Sequence, residues 1–353
     1  MRELIIRNTK INDESDCYVI AEIGHNHQGS LEKAKQLFVA AKKAGVNAVK
    51  LQKRDNKTLF TKEVYNKPYD NPNSFGITYG EHREFLEFGW DEYIELKRFA
   101  DELDLDFFAS AFDIPSADFL AKLDVPAFKI ASGDIKTITL LKHVARYGKP
   151  MIMSTGGATL EDIRRAYAAI MPINKQLCIM QCTGAYPPDW NELNLMVIDT
   201  LRREFPDIMI GFSSHDSGIA MAVAGYMLGA RIIEKHFTLN RAMKGTDHAF
   251  SLEPVGMTKM VRDLRRLKIA LGDGKKITYD SEKAPITKMG KSLVAARDLR
   301  KGHVLTSEDI FMKSPGGGLP PYEIDNIIGL KLTQNMRADE FFDAAKLAGR
   351  KIR

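Results

Sequence analysis

Eight short apolar runs recur along this chain, each ending in polar residues and most followed by a helical pattern. They are YVIAEIG (18–24), AVKLQK (48–53), FFASAFD (107–113), AFKIASGD (127–134), PMIMSTGG (150–157), LCIMQCTGAYP (177–187), IMIGFSSHD (208–216) and RIIEKHFT (231–238). Near-continuous apolar strands alternating with amphipathic helices imply a parallel sheet covered on both faces. Eight units over about 250 residues fit an α/β fold of the (β/α)8 TIM-barrel type. A doubly wound sheet is the runner-up, but it would gather its ligand site at one switch point. Here almost every strand ends in polar groups, as the C-terminal face of a barrel requires.

Before the first run, residues 3–12 alternate as a small hairpin. The segment 56–89 is long and rich in Asn, Pro and Gly, and is expected to fold over the mouth. After about residue 275 the text changes. The expected organisation is a barrel over 1–275, an irregular linker over 276–287, and a small β domain over 288–353. The formal charge of +5 comes without a dense basic tract, which argues for anionic ligands over nucleic acid. Three cysteines in a chain this long argue against a disulfide framework. No apolar run reaches membrane-spanning length and no signal segment is visible, so a cytoplasmic protein is expected.

The strand ends carry the chemistry. His215 and His236 close the last two runs, with Glu234, Lys235 and Asp247 nearby. Either histidine alone reads as a satisfied core residue, but in register the pair favours a divalent metal. Lys50 and Lys129, with Ser110, Ser132, Ser154 and Ser213, suit a phosphate and a carboxylate. Glu22 could act as acid or base beside the metal, or pair with Lys50. His25 and His27 read as structural or supporting. Cys178 and Cys182 read as core residues. This set fits carbon–carbon bond chemistry on a phosphorylated small acid. A Schiff-base aldolase using Lys129 or Lys235, and a non-catalytic sugar-binding barrel, are the competing readings.

AEIGHNHQGS, KLQK, FKIASGD, MIMSTGG, CTGAYPP, GFSSHDSG, EKHFT and KGTDHAFSLEP, in this order, resemble the sialic acid (N-acetylneuraminate) synthase family. The tail GKSLVAARDLRKGHVLTSEDIFMKSPGGG resembles its antifreeze-like SAF domain. The resemblance covers essentially the whole chain. It implies a barrel that condenses phosphoenolpyruvate with an amino-sugar aldehyde, such as N-acetylmannosamine, and releases phosphate. By resemblance His215 and His236 hold Mn2+ or Mg2+, and Glu22 lies by the metal-side water. Lys50, Ser110, Lys129, Ser132, Ser154 and Ser213 cradle phosphoenolpyruvate, while Gln52, Tyr186 and Asp247 contact the sugar. A domain-swapped homodimer is implied as well. The chain departs from the family at Gly184 and Ser314, where a polar side chain and an arginine are common. The insertion TYGEHREFLEF is similar to that of the animal enzymes that use the sugar 6-phosphate, with Arg83, His82 or Lys244 as candidate phosphate contacts.

Overall fold

The structure is a computed structural model and describes residues 2–348. Two compact units divide it, Met1–Gly272 and Asp273–Arg353. The first opens with the expected hairpin, β1 (Glu3–Ile6) and β2 (Thr9–Asn12), paired antiparallel. Eight strands follow: β3 (Tyr18–Gly24), β4 (Ala48–Lys53), β5 (Asp106–Ala111), β6 (Phe128–Ile130), β7 (Met151–Ser154), β8 (Leu177–Cys182), β9 (Met209–Ser214) and β10 (Ile232–His236). They close a parallel barrel in chain order, with β10 bonded back to β3.

Why these segments are strands follows from their burial. Every residue of β3, β5, β8, β9 and β10 is buried, which only a sheet covered on both faces permits. The covering helices carry the predicted signals. Leu31–Ala44 begins at Ser30, whose side chain accepts from the Lys33 amide, and ends at Gly45 with φ of 84°, a left-handed cap that glycine adopts freely.

Side-chain parity then builds the site. Successive strand residues face opposite sides. Ile20, Phe108, Ile152, Met180 and Ile232 are fully buried and stand two positions before Glu22, Ser110, Ser154, Cys182 and Glu234. A hydrophobic layer therefore lies directly beneath a polar one. Register aligns that polar layer: His236 pairs with Glu22, Glu22 with Lys50, Ser110 with Lys129, and Ser213 with Glu234.

Segment 56–89 contains three short helices, Asn56–Leu59, Lys62–Asn66 and Tyr79–Leu86. The last is started by a capping box between Thr78 and Glu81. Phe75 and Phe85 stack at 5.0 Å, and Tyr69 meets Tyr79 edge-on at 5.4 Å. The Gly245 amide donates to Asn73 Oδ1 at 3.0 Å, so the segment is tied to the loop that follows β10.

In the second unit, the stretch expected to be irregular holds a helix, Asp280–Met289. Asp280 and Glu282 occupy its first turn and Lys288 its last, matching the helix dipole, and Glu282 accepts from the Tyr279 amide. Those caps outweigh the polar composition and Pro285. Beyond it, β11 (Ser292–Ala295) pairs antiparallel with β12 (Ile310–Lys313). Leu293, Leu305, Ile310 and Phe342 form a separate small core. Asp309 is fully buried there and is met by Arg297, His303 and Thr306.

Candidate functional site

A cavity of about 440 Å³ opens at the C-terminal ends of the barrel strands. The twelve residues to which the resemblance gives a place in the metal, phosphoenolpyruvate and sugar sites all line it: Glu22, Lys50, Gln52, Ser110, Lys129, Ser132, Ser154, Tyr186, Ser213, His215, His236 and Asp247.

Its floor is an alternating array of charges. Lys50 Nζ lies 2.5 Å from Glu22 Oε2 and 3.6 Å from Glu234 Oε1, and donates to Ser110 Oγ at 2.9 Å. Lys129 Nζ donates to Ser154 Oγ at 2.7 Å and stands 3.8 Å from the same Glu234 oxygen. The four charged groups are at most 4% exposed. Burial this deep costs several kcal/mol per ion unless the partners are close. Burial alone would strip Lys50 of its proton, but Glu22 and Glu234 together hold its pKa above the usual value. Lys129 has weaker carboxylate support, and burial leaves it below the usual lysine range. Burial raises the Glu22 carboxyl despite Lys50, with Glu234 adding to the rise. For Glu234 the same burial is overcome by Lys129 and Lys50. Glu22 is thus the carboxylate readier to take a proton. Gln52 Nε2 fixes its other oxygen at 2.8 Å.

One side of the floor is imidazole. His215 and His236 stand edge to face, 5.2 Å between ring centres. Burial drives the His215 pKa down to about 3 and that of His236 to about 4, so both rings are neutral. His215 Nδ1 donates to the Thr183 carbonyl at 3.0 Å, which assigns its proton and leaves Nε2 as the acceptor. Tyr186 stacks on it at 4.0 Å. His236 Nδ1 is buried and has no hydrogen-bond partner, and Asp247 Oδ2 is 3.7 Å away. Among the described residues no group of three or more His, Cys, Asp or Glu side chains is arranged to hold a metal ion. Neutral imidazoles with free lone pairs nevertheless suit a divalent ion that takes its remaining ligands from substrate and water.

Opposite, Ser132 Oγ accepts from the Gly156 amide at 2.9 Å. A Cβ on Gly156 would meet Ser132 Oγ and the Gly184 amide, both at 2.9 Å, so only glycine lets these loops approach.

Residues 37–276 match the model of the NeuB family, and residues 290–348 match that of the SAF domain. The chain belongs to the NeuB family. It is 39% identical over 331 residues to N-acetylneuraminate-9-phosphate synthase of Homo sapiens, covering 94% of this chain and 92% of that protein. It is 35% identical to N,N'-diacetyllegionaminic acid synthase of Legionella pneumophila, covering 94% and 96%. A crystal structure of N-acetylneuraminic acid (sialic acid) synthetase from Leptospira borgpetersenii, in complex with citrate, superposes with a TM-score of 0.70 at 32% identity, covering 81% of this chain and 95% of that one.

Some readings need correction against this NeuB barrel. Lys235 does not reach the cavity: it has the opposite parity to Glu234 and His236 and donates to Asp216 Oδ1 at 2.9 Å. It is no candidate nucleophile. His82 is also outside, its ring 5.9 Å from that of Phe75 and its Nδ1 taken by the Phe75 amide. Lys244 lies over the Phe75 ring at 4.8 Å. Arg83 does line the cavity, as does His25. Two residues were not assigned a role from the sequence. Glu234 bridges both lysines; its even spacing from His236 was the available signal. Arg54 lies one residue past β4 and gave none.

Proposed function

We propose that the barrel mouth condenses phosphoenolpyruvate with the aldehyde of an open-chain N-acyl hexosamine, such as N-acetylmannosamine, to give a nine-carbon 2-keto-3-deoxy sugar acid and inorganic phosphate. The observation that carries this reading is the Lys50–Glu234–Lys129 array set beside two neutral imidazoles in one cavity. Lys50 and Lys129 supply charge, and Ser110, Ser132, Ser154 and Ser213 supply directed hydroxyls, for the carboxylate and phosphate of the three-carbon acid. Carbon 3 of phosphoenolpyruvate forms a bond to the aldehyde carbon, and the aldehyde oxygen gains a proton. Water adds at carbon 2, and phosphate leaves by cleavage of the carbon–oxygen bond. Glu22, raised by burial, is placed to take the proton that this water gives up. Gln52, Tyr186 and Asp247 face the sugar. His215 and His236 would hold Mn2+ or Mg2+, which as a Lewis acid supplies polarisation of the aldehyde.

A second reading, that the sugar carries a 6-phosphate and the product is the 9-phosphate, is favoured by the unpaired arginines at the cavity rim. We also read the protein as a homodimer that exchanges its small unit. Phosphate release from phosphoenolpyruvate, dependent on both an N-acyl hexosamine and a divalent ion, tests the reaction. Release that ignores the sugar, or trapping of a lysine adduct by borohydride, would sink it.

A further inference from the structure

One buried ion pair stands outside the chemistry described above. Lys235 and Asp216 are 1% and 2% exposed, and Lys235 has the opposite parity to the cavity-lining residues Glu234 and His236. The pair therefore lies behind the barrel wall. Its sequence position is informative: Asp216 directly follows His215, and Lys235 directly precedes His236. A buried ion pair adds little stability over a well-packed apolar pair of similar size, so its placement is the property to explain.

The two histidines are not held alike by the backbone. His236 is the last residue of β10 and stands in register with Glu22 of β3. Around it the Phe237 amide donates to the Glu22 carbonyl at 2.7 Å, and the Leu252 amide to the His236 carbonyl at 2.8 Å. His215 lies beyond the end of its strand. The register of β9 stops at Ser214 opposite Lys235 on one flank, and at Ser213 opposite Cys182 on the other. Past that point Lys235 takes over from the ladder. Its Nζ donates to the Asp216 carbonyl at 2.6 Å and to Asp216 Oδ1 at 2.9 Å, so it grips main chain and side chain together. Ser214 Oγ donates to the same Asp216 oxygen. The well-anchored end of β10 is thus linked through one side chain to the residue that follows His215.

We propose that Lys235 and Asp216 form a buckle behind the barrel wall that sets the spacing and facing of the His215 and His236 rings, and through them the affinity for a divalent ion. Lys235 is then a positioning residue that never meets substrate. The inference rests on the reading that places the ion on these two histidines. The rings stand edge to face at 5.2 Å between centres, and His215 is otherwise oriented by one bond, from Nδ1 to the Thr183 carbonyl at 3.0 Å. With the buckle open, His215 can swing on that single tether. Groups that orient ligand imidazoles from outside the coordination sphere typically change metal affinity by about 10- to 100-fold when removed.

The test measures the Kd for Mn2+ in the full chain without substrates, from the electron paramagnetic resonance signal of the free ion. Lys235→Met alone strands a buried carboxylate and endangers folding, so the main variant is Lys235→Met with Asp216→Asn, which removes the donor and the charge together. Each variant is read well below its own thermal midpoint. The double variant should bind Mn2+ about 10- to 100-fold more weakly. Asp216→Asn alone keeps both oxygens that Lys235 reaches, and should stay within about threefold of wild type. The KM for phosphoenolpyruvate should stay within about threefold in both, because Lys50 and Lys129 stand on other strands. An unchanged Kd in the double variant overturns the buckle, as does an equal loss in Asp216→Asn. A parallel rise in the KM for phosphoenolpyruvate overturns it too, since that marks general loosening. If wild type itself takes up no Mn2+ at millimolar concentration, the metal reading fails. The buckle is then judged on the metal-free rings by nitrogen NMR of labelled histidine, with His215 assigned by His215→Gln. The double variant must lose the single Nδ1–H form of His215 and Asp216→Asn must keep it; an unaltered ring signal in the double variant overturns the buckle.

Discussion

Floor and rim of the same cavity are built on opposite principles. On the floor, Lys50 and Lys129 are ion-paired with Glu22 and Glu234. All stand on barrel strands whose register fixes them. At the rim, Arg54, Arg83 and His25 leave donors without acceptors. The two levels differ in charge balance: the floor lysines are ion-paired within the protein, and the rim arginines are not.

The strongest way to break this contrast is Lys50→Met. It leaves Glu22 and Glu234 buried without their shared cation, so stability should fall by about 3–5 kcal/mol in urea unfolding. Turnover should drop by about 10²–10³-fold in the same variant. A stable variant would show that the floor is not electrostatically locked. Next in size is His236→Ala, which should abolish metal-dependent phosphate release while the thermal midpoint moves by less than about 4 °C. Retained turnover would remove the imidazole pair from the reaction. Gly156→Ala should cost about 1–3 kcal/mol, because its new methyl meets Ser132 and the Gly184 backbone at 2.9 Å. Gly184→Ala is its control. A Cβ there comes no closer than 3.7 Å to its neighbours, and stability should stay within about 0.5 kcal/mol. The smallest effect belongs to the rim. Tyr79→Phe removes the hydroxyl that accepts from Arg83 Nε at 3.0 Å. The KM of the sugar phosphate should rise by about 3- to 10-fold, with that of phosphoenolpyruvate unmoved. Equal rises in both would join rim to floor.

Much of the floor was legible in the sequence because the signal there is redundant. Each strand is a continuous apolar run, and each polar residue at its end could be seen against that run. Lys50, Lys129, His215 and His236 stand out in this way. Lys235 was misjudged as a possible nucleophile because it is adjacent to His236 in sequence. Strand parity turns adjacency into opposition, and Asp216 claims it on the far side. The rim was harder to read. Arg54 is one of many arginines until the barrel closes and buries it against Phe112. His82 and Arg83 are neighbours on one short helix, and only tertiary packing against Phe75 decides which of them faces inward. The helix Asp280–Met289 was missed because its caps are local and its faces are not apolar enough to show a period.

Segment 56–89 is braced from within by the Thr78–Glu81 capping box and its own aromatic stack, and is tied to β4 through Glu87, which accepts from Lys53 Nζ and the Arg54 amide, and to the loop after β10 through Asn73. Its two ends are therefore anchored to the barrel while its middle is packed on itself. An exchange of this stretch between related barrels would have to carry Glu87 and its partner Lys53 with it to keep the end of β4 in place.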